Sequence, residues 1–129
     1  LSLSAVNHPY KAEMGQPHQV LIVEPRRSVR TMLEMILCGE GLQVFSAASL
    51  RSALLQLRVL RPDLIILGAA RDGGSSVAEI RALSPAWILA LEGIGGGEPA
   101  SGADDRLAYP FGASELCAAV SGLLARSHL

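Results

Sequence analysis

Short runs of branched apolar residues, each followed by a segment with helical spacing, constrain this chain more than any other feature. Val20-Leu21-Ile22-Val23 and Leu64-Ile65-Ile66-Leu67 are wholly apolar, the pattern of strands covered on both faces. After the first run, Val29, Met32, Leu33, Ile36 and Leu37 recur at three- and four-residue spacing and predict a helix. Pro25 fits its start and Gly41 lies beyond its end. Leu42 to Ala47 reads as a second strand. Ala53, Leu54 and Leu57 mark a second helix that stops at Arg61-Pro62.

Beyond the third strand, Val77, Ile80 and Leu83 predict a short helix ended by Ser84-Pro85. Trp87 to Leu91 and Leu107 to Tyr109 read as the fourth and fifth strands. Leu116, Val120, Leu123 and Leu124 line a last helix. Regular alternation of strand and helix predicts a parallel sheet wrapped on both faces. One segment breaks the rhythm. Between Leu91 and Leu107 lies EGIGGGEPASGADDR, where a helix is due and no apolar period supports one.

Leu1 to Pro17 has no sustained period and reads as a flexible tail or linker, with Met14 a candidate start, so the folded domain is expected over 18–129. Half of the 129 residues are hydrophobic but only 4% are aromatic, so the core must be aliphatic. The formal net charge of -1 offers no basic footprint for nucleic acid or an anionic membrane. The scattered arginines, Arg26 and Arg27 among them, read as solvated surface. Cys38 and Cys117 have neither metal-site nor redox spacing and are expected to be buried thiols. No apolar run reaches the ~18 residues of a membrane span and no signal peptide opens the chain, so a cytoplasmic domain is expected.

In an open parallel sheet, ligands bind outside the carboxyl ends of the strands. The residues just past each strand are Glu24 and Pro25, Gly68, Glu92, and Tyr109 with Pro110. The runs LIVEPRRSVRTMLEMILCGEGLQVFSAAS, RPDLIIL and GADDRLAYPF resemble the receiver domain of bacterial response regulators, over about His18 to Arg126. The resemblance implies a doubly wound five-stranded parallel sheet of the flavodoxin or CheY-like kind, strand order 2-1-3-4-5, here with a shortened or missing fourth helix.

Receivers of that family phosphorylate themselves on an aspartate at the end of the third strand. Acidic residues after the first strand hold Mg²⁺, a hydroxyl follows the fourth strand, and a lysine follows the fifth. Carried over, the acidic pair becomes Glu24 and Pro25, and proline has no side-chain oxygen for a metal. The acceptor position is Gly68, the hydroxyl position Glu92 and the lysine position Tyr109. The aromatic switch position falls on Arg106. Nucleophile, metal seat, hydroxyl and counter-charge are lost together.

The resemblance therefore implies a pseudo-receiver: no catalytic residue, no metal, no cofactor and no enzymatic activity. Its expected partners are an attached output domain, another signalling protein or a second copy. Direct contact with nucleic acid or membrane is not expected. The alternative is a small-molecule sensor whose ligand fills the vestigial pocket beneath the glycine run Gly93 to Gly97. Asp72, Asp104 and Asp105 read as turn and cap residues, and Glu24 and Glu92 as carboxylates able to share a cation only weakly. No Ser/His/Asp set is supported, because His8, His18 and His128 lie near the termini. The Tyr109-Pro110 step matches a position whose peptide bond is commonly cis. The Tyr109 ring is expected over Gly68, filling the vacated volume.

Overall fold

The computed structural model describes residues 17–68, 75–93 and 102–126. Its elements in chain order are β1 Gln19–Val23, α1 Arg27–Cys38, β2 Gln43–Ala47, α2 Leu50–Gln56, β3 Leu64–Leu67, α3 Ser75–Leu83, β4 Trp87–Glu92, β5 Asp105–Ala108 and α4 Ala113–Leu124. All pairings are parallel, and the sheet order is β2-β1-β3-β4-β5. That is the doubly wound order expected from the sequence. The expected tail through residue 16, the turn at Asp72, the glycines at 95–97, the site of the expected helix loss at 94–101, and His8 and His128 lie outside the described residues.

The strict apolar runs earn their place by serving two cores at once. Successive strand side chains point to opposite faces, so Leu21, Val23, Ile65, Leu67, Ile88 and Ala90 pack under α2 and α3 with Ala53, Leu57, Val77 and Ile80. The alternate residues Val20, Ile22, Leu64, Ile66, Leu89 and Leu91 pack under α1 and α4, against Leu33, Leu37, Leu116, Val120 and Leu123. A one-residue slip of β1 or β3 would exchange the two faces.

Polar side chains lock the strand starts. Asp63 Oδ2 accepts from Gln19 N at 2.8 Å, and its carbonyl accepts from Trp87 N. Asp104 Oδ2 accepts from Ile88 N at 2.8 Å and pairs with Arg81 at 3.0 Å. This places β5 earlier than the sequence period suggests. Asp105 sits opposite Leu89, and the chain has left the strand at Tyr109, before the cis Tyr109-Pro110 bond. Glu115 Oε1 accepts from Gly112 N at 2.7 Å and opens α4.

The cysteines differ from expectation. Cys38 is exposed at the end of α1 and Cys117 is partly buried in α4, because the inward stripes are already filled by Leu33 and Leu37, and by Leu116 and Val120. Burial pushes the Cys117 thiol above its ordinary pKa, and the Glu40 carboxylate adds to the rise.

Candidate functional site at the carboxyl edge of the sheet

Sheet-type hydrogen bonds run one residue past the strands and set the edge. Glu24 N donates to Ala47 O at 3.0 Å, Gly68 N to Val23 O at 2.8 Å, and Tyr109 N to Glu92 O at 2.8 Å. The residues singled out from the sequence therefore emerge together along one end of the sheet. Glu24 meets Gly68 there, and Glu92 meets Arg106.

Glu24 is fully buried. Its Oε2 accepts from the backbone N–H of Arg26 at 2.6 Å and from Arg26 Nε at 3.3 Å. Arg30 reaches back over the same turn, donating from Nη1 to the Glu24 carbonyl at 2.8 Å. Glu24 Oε1 receives no hydrogen bond among the described residues. It leans over Gly68 instead: a Cβ built there would overlap Oε1 and lie 3.0 Å from Cδ. Gly68 is thus a glycine of close approach, and its missing side chain makes room for a carboxylate from the neighbouring strand.

This overturns the expectation for Tyr109. Tyr109 is 50% exposed, and its ring meets Phe111 edge-on, with centroids 5.9 Å apart. The atoms nearest a Cβ at Gly68 belong to Glu24 and Val23. In the sheet β1 adjoins β3, whereas β4 lies between β3 and β5, so Glu24 is the nearer neighbour of Gly68. Pro110 follows in the cis bond, ahead of α4. Tyr109 also acts through its backbone, which passes close to Gly93. That residue has φ +86°, and a Cβ there would stand 3.3 Å from the Tyr109 carbonyl oxygen.

Glu92 and Arg106 approach each other across β4 and β5. Arg106 Nε is 3.5 Å from Glu92 Oε2, an ion pair without an aligned hydrogen bond, since Oε2 is otherwise unpartnered. Arg106 lies opposite Ala90 and Ala108 opposite Glu92, so the pair is a diagonal one. With both side chains partly in water it contributes ~0–1 kcal/mol. The hydroxyl and switch positions of the resemblance are here joined by charge.

Each edge carboxylate thus has an arginine of its own. The Mg²⁺ seat implied by the resemblance does not fit these residues. Pro25 is exposed and supplies no side-chain oxygen, Arg26 holds Glu24 Oε2, and Gly68 offers no side chain. Among the described residues no group of three or more His, Cys, Asp or Glu could hold a metal ion. The shared-cation arrangement of Glu24 and Glu92 is met instead by two separate guanidinium groups.

Reading from sequence missed Arg26 as an internal counter-ion. An arginine two residues past a carboxylate at a strand end was the available signal, and Arg27 beside it, exposed, obscured that signal. Asp104, expected as a turn and cap residue, also bonds the β4 backbone at Ile88 N.

No protein-family model matches the chain. The KDP operon transcriptional regulatory protein KdpE of Escherichia coli K12 is 36% identical over 115 residues, covering 83% of this chain and 51% of that protein. The phosphate regulon transcriptional regulatory protein PhoB of the same organism is 31% identical over 121 residues, covering 84% and 52%. The chain thus spans about half the length of the curated relatives it matches.

A crystal structure from Chloroflexus aurantiacus, described as that of a response regulator, is 36% identical with a TM-score of 0.71, covering 86% of this chain and 100% of that one. The receiver domain of the Pseudomonas aeruginosa sensor histidine kinase PA1611, solved with a magnesium ion in its active site cleft, is 27% identical with a TM-score of 0.73. The match covers 85% of this chain and 99% of that one. Among the described residues, no helix is long and apolar enough to cross a membrane.

Proposed function

The chain belongs to the response-regulator receiver family, and on that premise we propose that it is a receiver without aspartyl phosphorylation, acting through protein contacts. The observation that carries this reading is the Glu24 carboxylate seated over Gly68. A phosphoacceptor needs a carboxylate oxygen free to attack the donor's phosphorus and displace its leaving group. Residue 68 has none, and the acid beside it is fully buried with one oxygen held by Arg26.

Transfer also requires the charge developing on the phosphoryl oxygens to be neutralised. At the two positions where the family supplies a metal ligand and a lysine, this chain has Pro25 and Tyr109. Glu92 would oppose an incoming phosphoryl group. The domain therefore keeps one arrangement of its edge, supported by Glu24–Arg26 and Glu92–Arg106, and carries information by what binds its surfaces. An attached output domain or a separate signalling protein is the natural partner. The same carboxylate weighs against a ligand-sensing pocket at Gly68, because the space a ligand would use is taken.

Incubating the protein with Mg²⁺ and acetyl phosphate and then measuring its intact mass tests the reading. The expected mass is unchanged. A phosphoryl adduct that disappears in Glu24→Ala or Asp72→Ala would overturn it.

A further inference from the structure

The helices α2 and α3 lie side by side over the sheet, and the groove between them has a volume of about 460 Å³. Leu50, Leu54 and Leu55 line one side and Leu83 the other. Leu50 and Leu54 also reach the core, whereas Leu55 is 55% exposed and Leu83 49% exposed. Leu55 and Leu83 are thus open apolar side chains facing one groove from two adjoining helices.

Its rim is charged. Arg51 and Arg58 stand on the α2 side and Glu79 on the α3 side. Neither arginine has an ion pair or side-chain hydrogen bond with a described residue. With two positive groups and one negative, the lining carries a surplus of one positive charge. Two copies joined through this face would set that surplus against itself. The other described helices fit it poorly: α4 exposes small residues such as Ser114, Ala118 and Gly122, and α1 exposes Met35 as its only large apolar side chain.

We propose that this groove docks an amphipathic helix of a partner protein, with apolar side chains at i, i+4 and i+7 seated on the leucines and acidic residues facing Arg51 and Arg58. The inference rests on the reading of the domain as a protein-contact module. It places the contact on a helical face rather than at the strand ends.

Fluorescence anisotropy with two labelled synthetic helical peptides tests it. Both peptides carry leucines at i, i+4 and i+7, one with glutamate flanks and the other with lysine flanks. The glutamate peptide should bind about fivefold more tightly at low salt, with the gap closing as salt rises. Arg51→Glu with Arg58→Glu should reverse the preference. Leu55→Ser with Leu83→Ser should abolish binding of both peptides, with the circular dichroism spectrum retained.

Equal affinity for the two peptides, no binding by either, or indifference to the arginine reversal would overturn the proposal. So would a dimer seen by light scattering that dissolves in the leucine variant, since the face would then belong to a second copy. Absent peptide binding with an unchanged mass after acetyl phosphate would sink the groove alone. A phosphoryl adduct with peptide binding intact would sink only the phosphorylation-independent reading.

Discussion

Glu24 and Gly68 occupy one space: the carboxylate at the end of β1 lies where the side chain of residue 68 would begin. The acid is not free to leave without cost, because Arg26 holds its other oxygen through both the backbone N–H and Nε. Loss of a side chain on one strand and retention of a carboxylate on the next are therefore a single packing arrangement.

Gly68→Ala should be destabilising. The new methyl group must displace the Glu24 carboxylate, and overpacking of this kind costs about 1–3 kcal/mol. Urea denaturation checks it through a lower midpoint at unchanged slope. In a Glu24→Ala background the same substitution should cost less, and a double-mutant cycle with no coupling between the sites would contradict the arrangement.

An aspartate at residue 68 alone should not confer phosphorylation. Gly68→Asp meets the same carboxylate and still lacks a metal ligand at Pro25 and a cation at Tyr109. Intact mass after acetyl phosphate and Mg²⁺ should equal that of the untreated variant.

Arg26→Ala should lower stability by about 1–2 kcal/mol, because a hydrogen bond to a buried carboxylate is lost, while the backbone N–H of residue 26 keeps Oε2 partly satisfied. Arg27→Ala, at an exposed neighbour, is the control and should change stability within about 0.5 kcal/mol. Equal effects in thermal or chemical unfolding would count against an internal role for Arg26.

The adjacent acids Asp104 and Asp105 should behave differently. Asp104→Ala removes the acceptor for Ile88 N and the partner of Arg81, and should cost about 1–3 kcal/mol by leaving a strand N–H unpaired. Asp105 Oδ1 bonds only the next residue's N–H in an exposed setting, so Asp105→Ala should be nearly neutral. Paired unfolding curves decide it.

Cys117 should alkylate more slowly than Cys38. The thiolate is the nucleophile, and a raised pKa leaves less of it at a given pH. Burial is the larger cause and the Glu40 charge the smaller, so labelling of Cys117 should keep accelerating as pH rises, and Glu40→Gln should quicken it slightly. Peptide mass mapping after timed iodoacetamide treatment would show the order, and faster labelling of Cys117 would contradict it.

The strands were legible because their apolar runs are short, branched and unbroken. Ile65 and Ile66 must both be buried, on opposite faces, and that demand writes itself into consecutive residues. The β5 boundary was harder. Only Leu107 carries the apolar signal there, and the strand is placed by the Asp104 side chain bonding to Ile88 N, a contact between distant parts of the chain. The exposure of Leu55 and Leu83 on α2 and α3 is hidden in the sequence for a related reason. Leu54 and Leu55 look alike in sequence, and their different burial depends on the direction in which the helix presents them.

What the sequence determines by itself is composition at fixed positions. Gly68 cannot be a nucleophile and Pro25 cannot lend a side-chain oxygen, whatever the fold. Alternating apolar segments of this kind also leave little choice but a parallel sheet covered on both faces. What only the tertiary structure decided is which side chain fills the space at Gly68. Volume favoured the large ring of Tyr109, but proximity is set by the sheet order. Because β1 adjoins β3, the shorter Glu24 reaches Gly68 directly, while Tyr109, beyond β4, stands half in solvent.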